Sequence, residues 1–158
     1  MRRLINYFIY SAGVLLLATA LAKLVSSVGS AHILQNHDPI SGVSFRADFE
    51  TVGSIEIIIS LVCIFGKRIG LRAGLVAWLC TNFVLYRFGM WSIGWHRPCA
   101  CLGNLTDAIH VSPQAADISM KIILAYLLIG SYATLFWLWK EKQKYSTGAP
   151  ASERQSPW

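Results

Sequence analysis

Charged residues are scarce in this chain: Asp, Glu, Lys and Arg together make up 14% of its 158 residues, whereas apolar residues make up 54%. Soluble domains usually contain about 25% charged and about 45–50% apolar residues. So few charges cannot cover the surface of a small soluble fold. The composition therefore predicts a membrane protein with one compact domain.

Several other patterns are missing as well. The sequence has no glycine period, no sustained heptad and no charge excess of the kind found in unfolded chains, which excludes collagen, coiled coil and disorder. No internal repeat is convincing. The sequence also lacks a nucleophile triad, a phosphate-binding glycine loop and a helical metal-binding motif. The common sequence signatures of enzymes are therefore absent.

Long apolar runs are present, and there are four of them. Each is close to the roughly 20 residues that an α-helix needs to cross about 30 Å of hydrocarbon. Because backbone groups in lipid must bond to one another, the runs are predicted to be helices. The fold class is therefore all-α, an integral membrane four-helix bundle, with spans at Ile5–Val25, Phe49–Phe65, Leu71–Trp91 and Ile118–Trp139. The second span is the shortest, and it contains two Glu residues.

The positions of Lys and Arg predict the orientation of these spans. One group precedes the first span, fills the short link between the second and third, and follows the fourth: Arg2, Arg3, Lys67, Arg68, Arg72, Lys140, Lys142, Lys144 and Arg154. The two longer loops hold only Arg46 and Arg97. Cytoplasmic loops collect positive charge, so both termini are predicted to lie inside. The net charge of +6 is therefore a sign of topology and not of nucleic-acid binding.

The chain ends in a segment of different composition. Residues 1–140 are predicted to form the transmembrane domain, with the first run kept as a helix because it is longer than the apolar part of a typical signal peptide. Residues 141–158 contain many small and polar residues together with Pro, and they are predicted to form a disordered cytoplasmic tail.

The four cysteines fall into two settings. Cys63 and Cys80 lie within predicted spans, where an unpaired cysteine packs as a small apolar side chain. Cys99 and Cys101 follow the outer end of the third span, on the oxidising side of the membrane if the predicted orientation holds. The positive charge of Arg97 nearby favours the thiolate form of this pair. A pair that exchanges electrons through a dithiol and a disulfide is the leading hypothesis.

Three other interpretations of Cys99 and Cys101 stay open. With one residue between them, the pair could close a tight turn as a static disulfide, which requires a sharp bend. The two could also be unpaired thiols. A third alternative is a zinc site, although the usual Cys-x-x-Cys spacing is missing; its ligands would be His96, Cys99, Cys101 and His110. No metal is included in the leading hypothesis.

Five ionisable residues fall within the spans or at their rims, all in the outer half of the predicted bundle: Lys23, Glu50, Glu56, Arg87 and Lys121. Lys121 can extend its side chain to the interface, and Glu50 can complement the dipole at a helix start. Glu56 and Arg87 are deeper, and a charge in hydrocarbon costs a few kcal/mol. We expect these two to form an ion pair, shared with Lys23, which either steadies the helices or lines a polar pocket towards Cys99 and Cys101.

Taken together, these residues point to a known family. They are Ala22-Lys23-Leu24, Phe49-Glu50, Gly53, Glu56, Tyr86-Arg87 and Pro98-Cys99-Ala100-Cys101-Leu102-Gly103. The set resembles the methylamine utilisation protein MauE family, within the wider DoxX-like group of four-helix membrane proteins, from about Ile5 to Trp139. The family's version of the last element is Pro-Cys-Gly-Cys-Phe-Gly, from which Ala100 and Leu102 depart.

The resemblance implies a function outside the cytoplasm, at the bacterial inner membrane. MauE-like proteins are associated with the biogenesis of methylamine dehydrogenase, a disulfide-rich enzyme, so a thioredoxin-like protein or a disulfide-rich client is the implied partner besides the lipid bilayer. Cys99 and Cys101 would be the redox pair, and Lys23, Glu56 and Arg87 the polar group within the membrane. A quinone near Glu56 and Arg87 is the one cofactor considered. The alternatives are a membrane scaffold without redox chemistry and a quinone-linked oxidoreductase subunit of the DoxX type.

Overall fold

The computed structural model describes residues 2–28, 42, 44–94 and 113–148, and these form four α-helices. They are α1 (Arg2–Val28), α2 (Phe45–Phe65), α3 (Ile69–Ser92) and α4 (Pro113–Gly148). The all-helical class predicted from the sequence is therefore confirmed for this part of the chain.

Helix α2 begins four residues before the predicted span, and local capping explains the difference. The Ser44 side chain accepts a hydrogen bond from the backbone N–H of Ala47, at 3.5 Å, as an N-cap residue does. Asp48 in the first turn complements the positive end of the helix dipole. At the other end, the backbone N–H of Gly66 donates to Val62 O at 2.8 Å. A link of three residues, 66–68, then leads directly into α3.

Helix α4 is longer than the predicted span at its C-terminal end. It continues through Gly148, so residues 141–148, predicted as part of a disordered tail, are helical. The reason is local: Lys140, Glu141, Lys142, Gln143 and Lys144 are good helix formers that extend an existing helix. At 36 residues, α4 is about 54 Å long, which exceeds the roughly 30 Å thickness of the hydrocarbon layer.

The helices pack as two antiparallel pairs that share one core. In the first pair, α1 against α2, the Ser60 hydroxyl donates to Gly13 O at 2.7 Å. In the second, α3 against α4, the hydroxyls of Thr81 and Tyr132 are 3.0 Å apart. The pairs meet where the Ser11 and Tyr126 hydroxyls are 2.9 Å apart. All four helices contribute to the core, which contains Ile9, Ala12, Leu16, Ile59, Cys63, Val76, Leu79, Cys80 and Leu127.

Three of the four helices are long and apolar enough to cross a membrane, among the residues that the structure describes. They are α1, α3 and α4, over Arg3–Ser27, Ile69–Ser92 and Asp117–Lys144. Large apolar side chains lie on their outside, including Trp78, Phe88 and Ile129. These properties are those of a protein that associates with a lipid bilayer. The membrane crossing of α2, which has four charged residues among its 21, stays a prediction.

Candidate functional site

Lys23 of α1 and Glu56 of α2 form an ion pair in the interior. The Lys23 ammonium donates to Glu56 Oε1, and 4% of Lys23 and 1% of Glu56 are exposed. The Lys23 Nζ atom also lies 4.9 Å from the centre of the Phe83 ring, a cation–π distance. Since both charges are removed from solvent, each depends on the other for compensation. The pair therefore joins α1, α2 and α3 at one depth.

The second oxygen of the Glu56 carboxylate has no hydrogen-bond partner within the described part of the chain. This atom, Oε2, is fully buried. The nearby Thr19 hydroxyl donates to Leu16 O at 3.0 Å. A buried acceptor without a donor destabilises the folded state by about 1–3 kcal/mol. Lys23 is therefore the group on which the burial of Glu56 depends.

Arg87 does not join this pair, and the predicted Glu56–Arg87 ion pair is wrong. The Arg87 guanidinium donates to Asp117 Oδ1 at 2.7 Å instead. Asp117 Oδ2 is 2.6 Å from the Lys121 ammonium, one helical turn further along α4. The physical reason is the packing: Arg87 lies on α3, whose principal partner is α4, whereas Glu56 lies on α2, whose principal partner is α1.

Sequence reasoning overlooked Asp117 because it lies just before the predicted fourth span. One signal could have identified it. Asp117 and Lys121 have the (i, i+4) spacing at which opposite charges on a helix meet. An acidic residue at a helix start near the level of the half-buried Arg87 is a natural counter-ion. The ionisable residues in this half of the helices thus form two separate groups, Lys23 with Glu56, and Arg87 with Asp117 and Lys121.

The cysteines separate as the sequence predicted, as far as the structure describes them. Cys63 and Cys80 are free thiols buried in the core, which confirms their interpretation as packing residues. Cys99 and Cys101 lie outside the described residues, as do the other members of the alternative zinc site, His96 and His110.

Arg72 is a buried cation that sequence reasoning treated only as a sign of topology. It lies in the first turn of α3, and 4% of the residue is exposed. Its Nη2 group donates to Cys63 O near the end of α2, and its guanidinium carbon lies 5.1 Å from the centre of the Tyr10 ring. Among the described residues, the Nε group of Arg72 has no hydrogen-bond partner and its guanidinium forms no ion pair. One signal could have identified it: Arg72 falls inside the predicted third span, whereas Lys67 and Arg68 precede that span.

Comparison with known proteins leaves the family open. The chain matches no family model, no curated protein and no solved structure. The resemblance to the MauE family therefore stays a prediction, based on the motifs given above. A proposal of function must be argued from the residues of this chain.

Proposed function

We propose that this chain is a membrane protein with four spans that supports thiol–disulfide exchange with an extracytoplasmic protein, through Cys99 and Cys101. The observation that carries the proposal is the distribution of polar groups. Arg87 with Asp117 lies near the ends of α3 and α4 that the segment with Cys99 and Cys101 connects, and Lys23 with Glu56 lies deeper in the same half of the helices, beside Phe83 of α3. Burial of the other two cysteines supports the same assignment, because a thiol in a packed core does not meet a partner protein.

The proposed orientation places both termini in the cytoplasm. At the end where α1 starts and α4 finishes, the exposed ionisable residues are mostly basic: Arg3, Lys67, Arg68, Lys140, Lys142 and Lys144. In the opposite half of the helices, Lys23, Arg87 and Lys121 are compensated by Glu56 and Asp117. This asymmetry supports a cytoplasmic location for the basic end. Cys99 and Cys101 would then lie in an oxidising compartment.

The proposed reaction conserves atoms and electrons. A thiolate of a reduced client attacks the Cys99–Cys101 disulfide and forms a mixed disulfide. A second client thiolate then breaks the mixed disulfide, so the client gains a disulfide and this chain holds two thiols. Two electrons and two protons pass from the client to this chain. A thioredoxin-like protein in its disulfide form then accepts these two electrons and two protons and becomes a dithiol, which restores the Cys99–Cys101 disulfide. This cycle fits a MauE-like function in maturing a methylamine dehydrogenase-type enzyme.

The two groups of ionisable residues would support this reaction by fixing the helices that carry the cysteine segment. Lys23 with Glu56 ties α1 to α2, and Arg87 with Asp117 ties the end of α3 to the start of α4. In this proposal they position helices and transfer no electrons. The separation of Glu56 from Arg87 gives no support to a quinone held between them.

Thiol trapping in intact cells tests the proposal. In a Cys63→Ala/Cys80→Ala background only Cys99 and Cys101 remain, so every label reports on that pair. We expect no labelling by a membrane-impermeant maleimide until a reductant is added, and then two labels per chain. The Cys99→Ser variant should abolish disulfide formation in the client, and Cys101→Ser should accumulate a mixed disulfide with a partner that reductant releases.

Each contrary result identifies one of the alternatives. If client maturation continued in the Cys99→Ser/Cys101→Ser double variant, the chain would be a scaffold without redox chemistry. If a quinone co-purified and were reduced by the dithiol form, a DoxX-type oxidoreductase subunit would be favoured. Labelling of residue 99 only after the membrane is permeabilised would overturn the proposed orientation.

A further inference from the structure

The end of the helices where α2 finishes and α3 begins contains a buried cation, Arg72, without an acidic partner in the described residues. The guanidinium of Arg72 contacts the Cys63 carbonyl and the Tyr10 ring, and its Nε group has no hydrogen-bond partner there. A buried charge is usually paired, because leaving it uncompensated is costly. The carbonyl, at the negative end of α2, and the ring supply partial negative charge, so a bound anion would complete the compensation of Arg72.

The start of α3 beside Arg72 is also favourable for an anion. Its N-cap residue, Arg68, makes no side-chain capping hydrogen bond, and the first turn contains no acidic residue. The free N–H groups and the positive dipole end of a helix start attract negatively charged oxygens. Lys67 and Arg68, both exposed, add two cations in the link before the helix.

The surface beside Tyr10 also contains basic and aromatic side chains. A shallow depression along one face of α1 is lined by Arg3, Asn6, Tyr7 and Tyr10. Tyr10 thus has Arg72 against its ring and this depression beside it. Basic and aromatic side chains at a helix end are typical of the level of lipid headgroups.

Large apolar side chains border these cations. Phe65 is 76% exposed and Leu71 is 56% exposed, on either side of the link that holds Lys67 and Arg68. A soluble phosphate would leave these apolar side chains exposed to water. The acyl chains of a phospholipid would cover them, which is favourable. We propose that an anionic phospholipid binds at the start of α3, with its phosphate next to Arg72, Arg68 and Lys67 and its acyl chains against Phe65 and Leu71.

Native mass spectrometry of the full-length protein in detergent tests this site, with phosphatidylglycerol and phosphatidylcholine offered at equal concentration. Each basic residue near an anionic surface is worth roughly fivefold in binding. We therefore expect at least about fivefold more phosphatidylglycerol than phosphatidylcholine to be retained. Arg72→Gln should remove most of that preference. Lys67→Gln/Arg68→Gln should reduce it without disturbing the contact between Arg72 and Cys63.

The control is Lys121→Gln, which removes an exposed cation at the opposite end of the helices and should leave the preference unchanged. Three results would overturn the proposal: equal retention of the two lipids, the same loss with Lys121→Gln as with Lys67→Gln/Arg68→Gln, or displacement of phosphatidylglycerol by inorganic phosphate. The last result would show a site for a free anion and not for a lipid. Because Lys67 and Arg68 are exposed, their variant separates lost binding from lost folding.

Discussion

Replacing Lys23 by methionine is expected to destabilise the folded protein by about 3–5 kcal/mol. The methionine keeps most of the apolar stem but removes the ammonium, so the Glu56 carboxylate is left buried with neither oxygen neutralised by a cation. The free energy of unfolding of the purified protein, measured by titration with a denaturing detergent, checks the prediction. The same variant should weaken the contact between α1 and α2 first, because the pair joins these helices.

Two variants distinguish the ion pair from a general loss of charge. Lys121→Met removes an ammonium that is 61% exposed, and its effect should be within about 1 kcal/mol of zero. Lys23→Met/Glu56→Leu removes both buried charges together and should recover much of the stability, since paired charges can often be replaced by apolar side chains at little cost. If Lys23→Met were no worse than Lys121→Met, the pair would have no structural importance.

Gly130→Ala is expected to cost about 1–3 kcal/mol. Gly130 lies on α4 where the Phe8 ring of α1 packs directly against its backbone, and a Cβ atom there would overlap three ring carbons. The Phe8 ring is itself in edge contact with Tyr126, with ring centres 5.5 Å apart, so it has little freedom to move. Thermal unfolding of the variant in detergent measures the loss.

Gly74→Ala provides the matched comparison for Gly130→Ala. Gly74 lies within α3, and a Cβ atom there would meet nothing within 4 Å. Alanine lowers the entropy of the unfolded chain, so this variant should be neutral or more stable by about 0.5–1 kcal/mol. If both variants behaved alike, the close approach of α1 to α4 at Phe8 would be refuted. Recovery of stability in Gly130→Ala/Phe8→Leu would support it directly.

Much of the helical structure was predictable because apolar runs of membrane length leave the backbone few alternatives. Each of the four predicted spans lies inside one of the four helices. The ends were less predictable, since local side chains decide them. Ser44 starts α2 earlier through a capping bond, and the run of good helix formers from Lys140 carries α4 to Gly148.

The partners of the buried charges were harder to predict than the charges themselves. Depth along a helix follows from residue number, so Lys23, Glu56 and Arg87 could be placed in one half of the predicted bundle. Which face each residue presents depends on which helices pack most closely, and apolar spans give little information about that. Because α3 packs mainly against α4, Arg87 forms its ion pair with Asp117. Arg72 lacks an acidic partner for the same reason. The part of the structure that packs against it is the end of α2, which contains no acidic residue.

The dependence of Glu56 on Lys23 has a consequence for how the chain is made. During synthesis α1 leaves the ribosome before α2, so the ammonium is already available when the carboxylate emerges. If α2 crosses the membrane as predicted, Glu56 would otherwise enter the translocon as an unpaired acid. The order of the two helices in the gene therefore allows the helix that holds Glu56 to enter as half of a hairpin, with that charge already neutralised by the helix made first.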